Sequence, residues 1–181
     1  MDLRLIIGLA GSALLVAGVA DRNVAHKNTL FAIGSACMFV YALLGYLAGG
    51  PIFFVILQTY IALSTLCMIF NVPDNYDTPI LAMGGVLLIG WSLTRFQGLS
   101  TGIFVVGLVL IGIGFALDPG TTRRDVFLMT GSAVIAVFSV LMRDWIFVGL
   151  NAIFAGLSLV NVVRDVRMHS KQTTGLRSAK S

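Results

Sequence analysis

The sequence contains no glutamate. Its eight acidic residues are all aspartates, and each lies at or between the ends of the apolar runs. Charged residues make up only 11% of the chain, whereas an ordinary soluble domain carries about 25%. That scarcity excludes a soluble globular protein. There are two cysteines, Cys37 and Cys67, both inside apolar runs and not in a CxxC pair. A free thiol in such a place behaves as a small hydrophobe. The two histidines, His26 and His169, fall in a loop and in the C-terminal tail, so no metal centre assembles from them. No Ser-His-Asp set, glycine-rich phosphate loop or HExxH is present, and the spans hold no acid, base or nucleophile. The chain therefore reads as a non-enzyme with no catalytic residue, no metal and no cofactor.

What remains is apolar: 57% of the 181 residues are hydrophobic. A membrane-spanning helix needs about 20 such residues, within a working range of about 17–25. Seven runs are candidates: 3–20, 29–49, 52–71, 79–94, 99–117, 126–142 and 145–163, the fourth falling just short of that range. The fourth is the shortest and holds three glycines. The first has the look of a secretory signal, but the repeat described below requires it as a helix. Asp77, Asp125 and Asp144 stand before predicted helices, where a carboxylate caps exposed N–H groups. Asn161 reads as a cap at the far end of the seventh. The net charge of +4 comes largely from the tail after Val163, as befits a cytoplasmic flank and not a nucleic-acid-binding surface. With seven spans, Lys and Arg divide 3 to 9 between the two sides. The positive-inside rule then predicts a multi-pass protein of the plasma (inner) membrane, with its N-terminus outside and its C-terminus in the cytoplasm.

The run FFVILQTYIAL at 53–63 holds one residue foreign to lipid, Gln58. Its carboxamide has two donors and an acceptor, and leaving them unpaired in hydrocarbon costs roughly 4–8 kcal/mol on a cyclohexane scale. The reason for its presence lies in an internal repeat. GSACMFVYALL at 34–44 matches GSAVIAVFSVL at 131–141, an offset of 97 positions. At that offset Lys27 meets Arg124, Asn28 meets Asp125, Ser35 meets Ser132 and Tyr41 meets Phe138. In the next helix the offset is 93, and Phe54, Gln58, Ala62 and Thr65 meet Phe147, Asn151, Ala155 and Ser158. Spacings of four, four and three keep these side chains on one helix face. The amide thus occurs twice, at one depth, on related helices.

These features predict an all-α polytopic membrane protein with seven transmembrane helices. Two parallel three-helix repeats (1–72 and 98–163) are joined by a linker helix (73–97), and 164–181 form a basic, flexible cytoplasmic tail. Parallel repeats with a site at their interface are a known transporter plan.

At this point the chain resembles the SWEET-like, or PQ-loop, superfamily in its 3+1+3 architecture and outside N-terminus, over almost all of the sequence up to Val163. The runs LQTYIAL and LNAIFAGLSLVNVV also look like the short bacterial inner-membrane proteins of the YgjV type. The resemblance implies a substrate pocket at the third and seventh helices, since sugar-transporting members carry a pair of asparagines there. Two departures stand out. The chain has no Pro-Gln dipeptide. Its four prolines, Pro51, Pro73, Pro79 and Pro119, all fall at predicted helix ends, so hinge motions would rest on Gly11, Gly18, Gly107 and Gly112. Close helix approach is the other use of such glycines.

The functional expectation is a small-molecule facilitator, a uniporter, for a neutral polar solute. Its substrate-binding residues would be Gln58 and Asn151, with Phe54, Phe147, Thr65, Ser158 and Tyr41 around them. Uniport follows from the absence of ionisable residues inside the spans, which proton-driven carriers usually need. The alternative is a non-transporting scaffold or assembly subunit in which Gln58 and Asn151 bond each other. The expected partners are the lipid bilayer, the solute and, in a homo-oligomer, further copies of the chain, with no nucleic acid.

Overall fold

In the computed structural model, residues 2–20, 24–96, 98–117 and 121–178 are described. Among them the chain forms seven helices and no strand. These are α1 (Leu3–Ala20), α2 (Val24–Leu47), α3 (Phe53–Ile69), α4 (Asp74–Thr94), α5 (Leu99–Ala116), α6 (Thr122–Leu141) and α7 (Trp145–Ser178). The architecture is that of an all-α polytopic membrane protein. Five of the helices are long and apolar enough to cross a membrane. The other two, α1 and α3, have 18 and 17 residues, about 25–27 Å of rise against a hydrocarbon core of about 30 Å.

Four boundaries differ from the sequence reading by four residues or more. Helix α2 begins at Val24, five residues before its apolar run. Helix α4 begins at Asp74, so Pro79 lies inside it and not at its end. Helix α6 begins at Thr122, where the Thr121 hydroxyl accepts from the Arg124 N–H at 3.4 Å. Asp125 is therefore within the first turn and is not the cap; Asp77 likewise sits inside α4, behind Pro73. Of the three aspartates, Asp144 does cap a helix, accepting from the Phe147 N–H at 3.3 Å. Helix α7 runs past Val163, the end of its apolar stretch, as far as Ser178, where a flexible tail was expected. Thr122 holds this extension to α6 by donating to Asp165 at 3.2 Å.

Helices adjacent in sequence pack against one another, and α7 returns to α1, so the bundle closes as a ring in chain order. A direct α3–α5 contact places α4 on the outside. Its Met83, Val86 and Leu87 are well exposed, as lipid-facing side chains are.

The two repeats pack alike. A Cβ on Gly34 would lie 3.0 Å from the Leu15 nitrogen and 3.1 Å from the Gly11 carbonyl. A Cβ on Gly131 would lie 2.8 Å from the Ile111 nitrogen and 3.1 Å from the Gly107 carbonyl. Gly18 faces Phe31 as Gly114 faces Leu128. Each residue of the α1–α2 crossing thus recurs 96 or 97 positions on in the α5–α6 crossing. Gly11, Gly18, Gly107 and Gly112 all sit where another helix or the Tyr60 side chain comes within 3.3 Å of an added Cβ, so close approach accounts for all four.

Candidate functional site

A cavity of about 370 Å³ runs up the middle of the ring, lined by every helix except α4. Gln58 of α3 and Asn151 of α7 lie on its wall, with Ser132 and Ser158. Toward the ends of α2 and α6 the wall becomes Lys27, Arg124 and Asp125, and near Asn161 of α7 it reaches the exposed surface. Apolar side chains, among them Phe31, Phe115 and Phe154, supply most of the rest. Lys27 and Arg124 share one cavity, so the first turns of α2 and α6 lie at the same end of the bundle. Arg22, expected on that side too, lies outside the described residues.

The two amides differ in their bonding. Asn151 donates from Nδ2 to the Phe147 carbonyl one turn back, at 2.9 Å. Gln58 is 0% exposed, and neither its Nε2 nor its Oε1 has a hydrogen-bond partner. The amides therefore do not bond each other. Such an unpaired group costs about 1–3 kcal/mol in a protein interior, and its residue belongs to the cavity wall.

One helical turn beyond the amides, away from Lys27 and Arg124, the bundle is shut. Phe54 and Phe147 stack with centroids 4.3 Å apart and planes 6° from parallel. Phe138 meets Phe54 at 5.5 Å, and Tyr41 meets Phe147 at 5.7 Å. These four residues are two pairs of repeat equivalents, and each α2 or α6 aromatic touches the α7 or α3 ring of the other repeat. Both repeats contribute equally to the seal. Its flanks differ. Tyr41 Oη donates to Asp144 Oδ1 at 2.8 Å, Arg4 reaches Asp144 Oδ2 at 3.5 Å, and the guanidinium lies 4.8 Å from the Tyr41 ring centre. At the equivalent positions Phe138 has no hydroxyl and Pro51 replaces Asp144, while Phe104 and Phe53 close that flank with apolar rings.

The sequence-predicted residues thus take different places. Gln58, Asn151 and Ser158 line the cavity. Phe54 and Phe147 form its stacked end and do not wall it. Tyr41 lies beyond them in the polar flank. Thr65 is buried, outside the cavity, and its hydroxyl donates to the Ile61 carbonyl at 2.8 Å, the usual resort of a threonine in an apolar helix. The sequence reading missed Lys27, Arg124 and Asp125 as wall residues and Arg4 and Asp144 as part of the closed end. The signal for the first group was present: Arg124, Leu128 and Ser132 follow at steps of four, one inward stripe.

Comparison with protein-family models, curated proteins and solved structures finds no match for the chain.

Proposed function

We propose that the protein is a membrane facilitator of a small polar solute, bound between the two repeats and held here with access from the Lys27–Arg124 end only. The carrying observation is the fully buried Gln58 amide without a partner on the wall of a 370 Å³ cavity. Binding pockets for small molecules have about this size and this mixture of apolar wall and few polar groups. An amide whose donors and acceptor are unspent favours a solute that completes them. The shared aromatic seal supports alternate opening, because separating Phe54 from Phe147 separates one repeat from the other. By the distribution of Lys and Arg, the open end faces the cytoplasm.

The scaffold reading needs Gln58 and Asn151 as interhelical glue, and the unpaired Gln58 weighs against it. Uptake into proteoliposomes decides between them. A panel of sugars, vitamins, amides and small organic acids is compared in vesicles with the protein, with the Gln58→Leu variant, and without protein. Uptake of one or more compounds above empty vesicles, lost in Gln58→Leu, supports the facilitator. Uptake by the variant equal to wild type removes the residue-level basis for it.

A further inference from the structure

We infer that the cavity takes a small organic anion, its charged end between Lys27 and Arg124 and its polar end toward Gln58 and Asn151. This rests on the facilitator reading and replaces the neutral solute expected from the sequence. That expectation came from spans free of ionisable residues, yet the fold turns the ends of α2 and α6 inward. Lys27 and Arg124 are equivalents in the two repeats, and both reach the same cavity wall. Both are half-buried, and among the described residues neither has a carboxylate within ion-pair distance; the ion pair found there is that of Arg4 with Asp144. The facing carboxylate on the wall is Asp125. Its equivalent in the first repeat is the neutral Asn28, so the cavity wall itself carries two cations and one anion; Asp77 of α4 acts on Arg124, and Asp165 of α7 on Asp125, from outside the wall.

A preference for cytoplasmic Lys and Arg explains why cations stand at this end. It does not explain why both line the cavity. A charged side chain held in a partly dry cleft is costly without a counter-ion, and a cleft lined by one sign concentrates ions of the other. Arg124 and Ser132 are eight residues apart on α6, about 12 Å of helix rise. The occupant that satisfies both ends has a charged head, an apolar body to lie against Phe31, Phe115 and Phe154, and a hydrogen-bonding group at the far end. A carboxylate on a short apolar frame with a hydroxyl or carbonyl fits that description.

The charge selectivity of the cavity can be read without knowing the solute. Ser158→Cys is made in a Cys37→Ala/Cys67→Ala background and purified in a neutral detergent. The introduced thiol is reacted with the anionic 2-sulfonatoethyl and the cationic 2-trimethylammonioethyl methanethiosulfonates. Each rate is divided by that reagent's rate with 2-mercaptoethanol. The anionic reagent is expected to be favoured on the order of tenfold. Lys27→Gln and Arg124→Gln should each cut the preference several-fold, Lys27→Arg should retain it, and Asp125→Asn should raise it. Gel filtration and thermal melts confirm that the variants are folded. A ratio at or below one, or a preference indifferent to both Gln substitutions, overturns the anion inference and leaves the facilitator standing. If neither reagent reaches the introduced thiol in folded protein while both label it in denaturant, the cavity is closed to water and the facilitator reading itself fails.

Discussion

Tyr41 donates a 2.8 Å hydrogen bond to Asp144, joining residues 103 positions apart in the sequence. The bond ties α2 of the first repeat to the start of α7 in the second. The α6–α7 turn positions the carboxylate. Arg143 takes a left-handed conformation (φ 57°), and the Asp144 N–H returns to the Ser139 carbonyl at 3.0 Å. This is a Schellman ending, and α7 starts on the very next residue. Asp144 thereby meets Tyr41, Arg4 and the Phe147 N–H at once.

Removing that carboxylate should cost more than removing the phenol. Tyr41→Phe loses one hydrogen bond to a charged group, about 1.5–3 kcal/mol, while Arg4 and the Phe147 N–H keep Asp144 paired. Asp144→Ala loses all three contacts and strands Arg4. Thermal melts in detergent should rank wild type above Tyr41→Phe and that above Asp144→Ala. A Tyr41→Phe variant as stable as wild type would show that the latch holds nothing.

Gln58→Leu should fold with stability equal to or above wild type, because it removes a buried amide that bonds nothing. Asn151→Leu should be close to neutral, since the Phe147 carbonyl keeps its backbone bond within α7. The double variant should equal the sum of the singles. Melts in which both singles are destabilised by about 1–3 kcal/mol and the double recovers would mean that the amides do pair, which would sink the pocket.

Ser158 and Thr65 are repeat equivalents with different surroundings. Ser158 is on the cavity wall, and Thr65 spends its hydroxyl on its own helix. Ser158→Ala should reduce uptake of the transported compound in proteoliposomes, and Thr65→Val should not. Equal effects would place the two residues in one pocket after all.

Gly34→Ala and Gly131→Ala should each destabilise by about 1–3 kcal/mol, the usual cost of overpacking. A Cβ there meets backbone of the neighbouring helix at 3.0 and 2.8 Å, which cannot move aside as a side-chain tip can. Gly156→Ala, with nothing within 4 Å, should be neutral or better. Similar losses at Gly34 and Gly131 would reflect the equivalence of the two crossings. Alanine tolerated at both would mean that the crossings are looser than they stand here.

Single cysteines in the 21–28 and 118–125 loops, in a background without Cys37 and Cys67, should label from the same, cytoplasmic face of inverted and right-side-out vesicles. A cysteine replacing Trp145 should label from the other. Loops labelling from opposite faces would refute the parallel arrangement of the repeats.

Much of this was legible in the residues. Apolar run length fixed seven helices, and the end of α1 at Ala20 and the starts of α5 and α7 at Leu99 and Trp145 fell where hydropathy put them. The recurrence of GSA and of the amide marked the repeat and its inward face, because a helix carries its periodicity in sequence. The boundary errors at the starts of α2, α4 and α6 arose at polar segments, where hydropathy gives no signal and helix continues through residues such as Asp74 and Thr122. Tertiary structure alone decided which of two equivalent residues does what. Thr65 and Ser158 occupy matching places and only one meets the cavity; Tyr41 and Phe138 match and only one finds a carboxylate. It also decided that Gln58 and Asn151 stay unbonded to each other, and that Lys27 and Arg124 line one cavity. Those facts depend on distances between helices far apart in the chain, which the order of residues along any one helix does not contain.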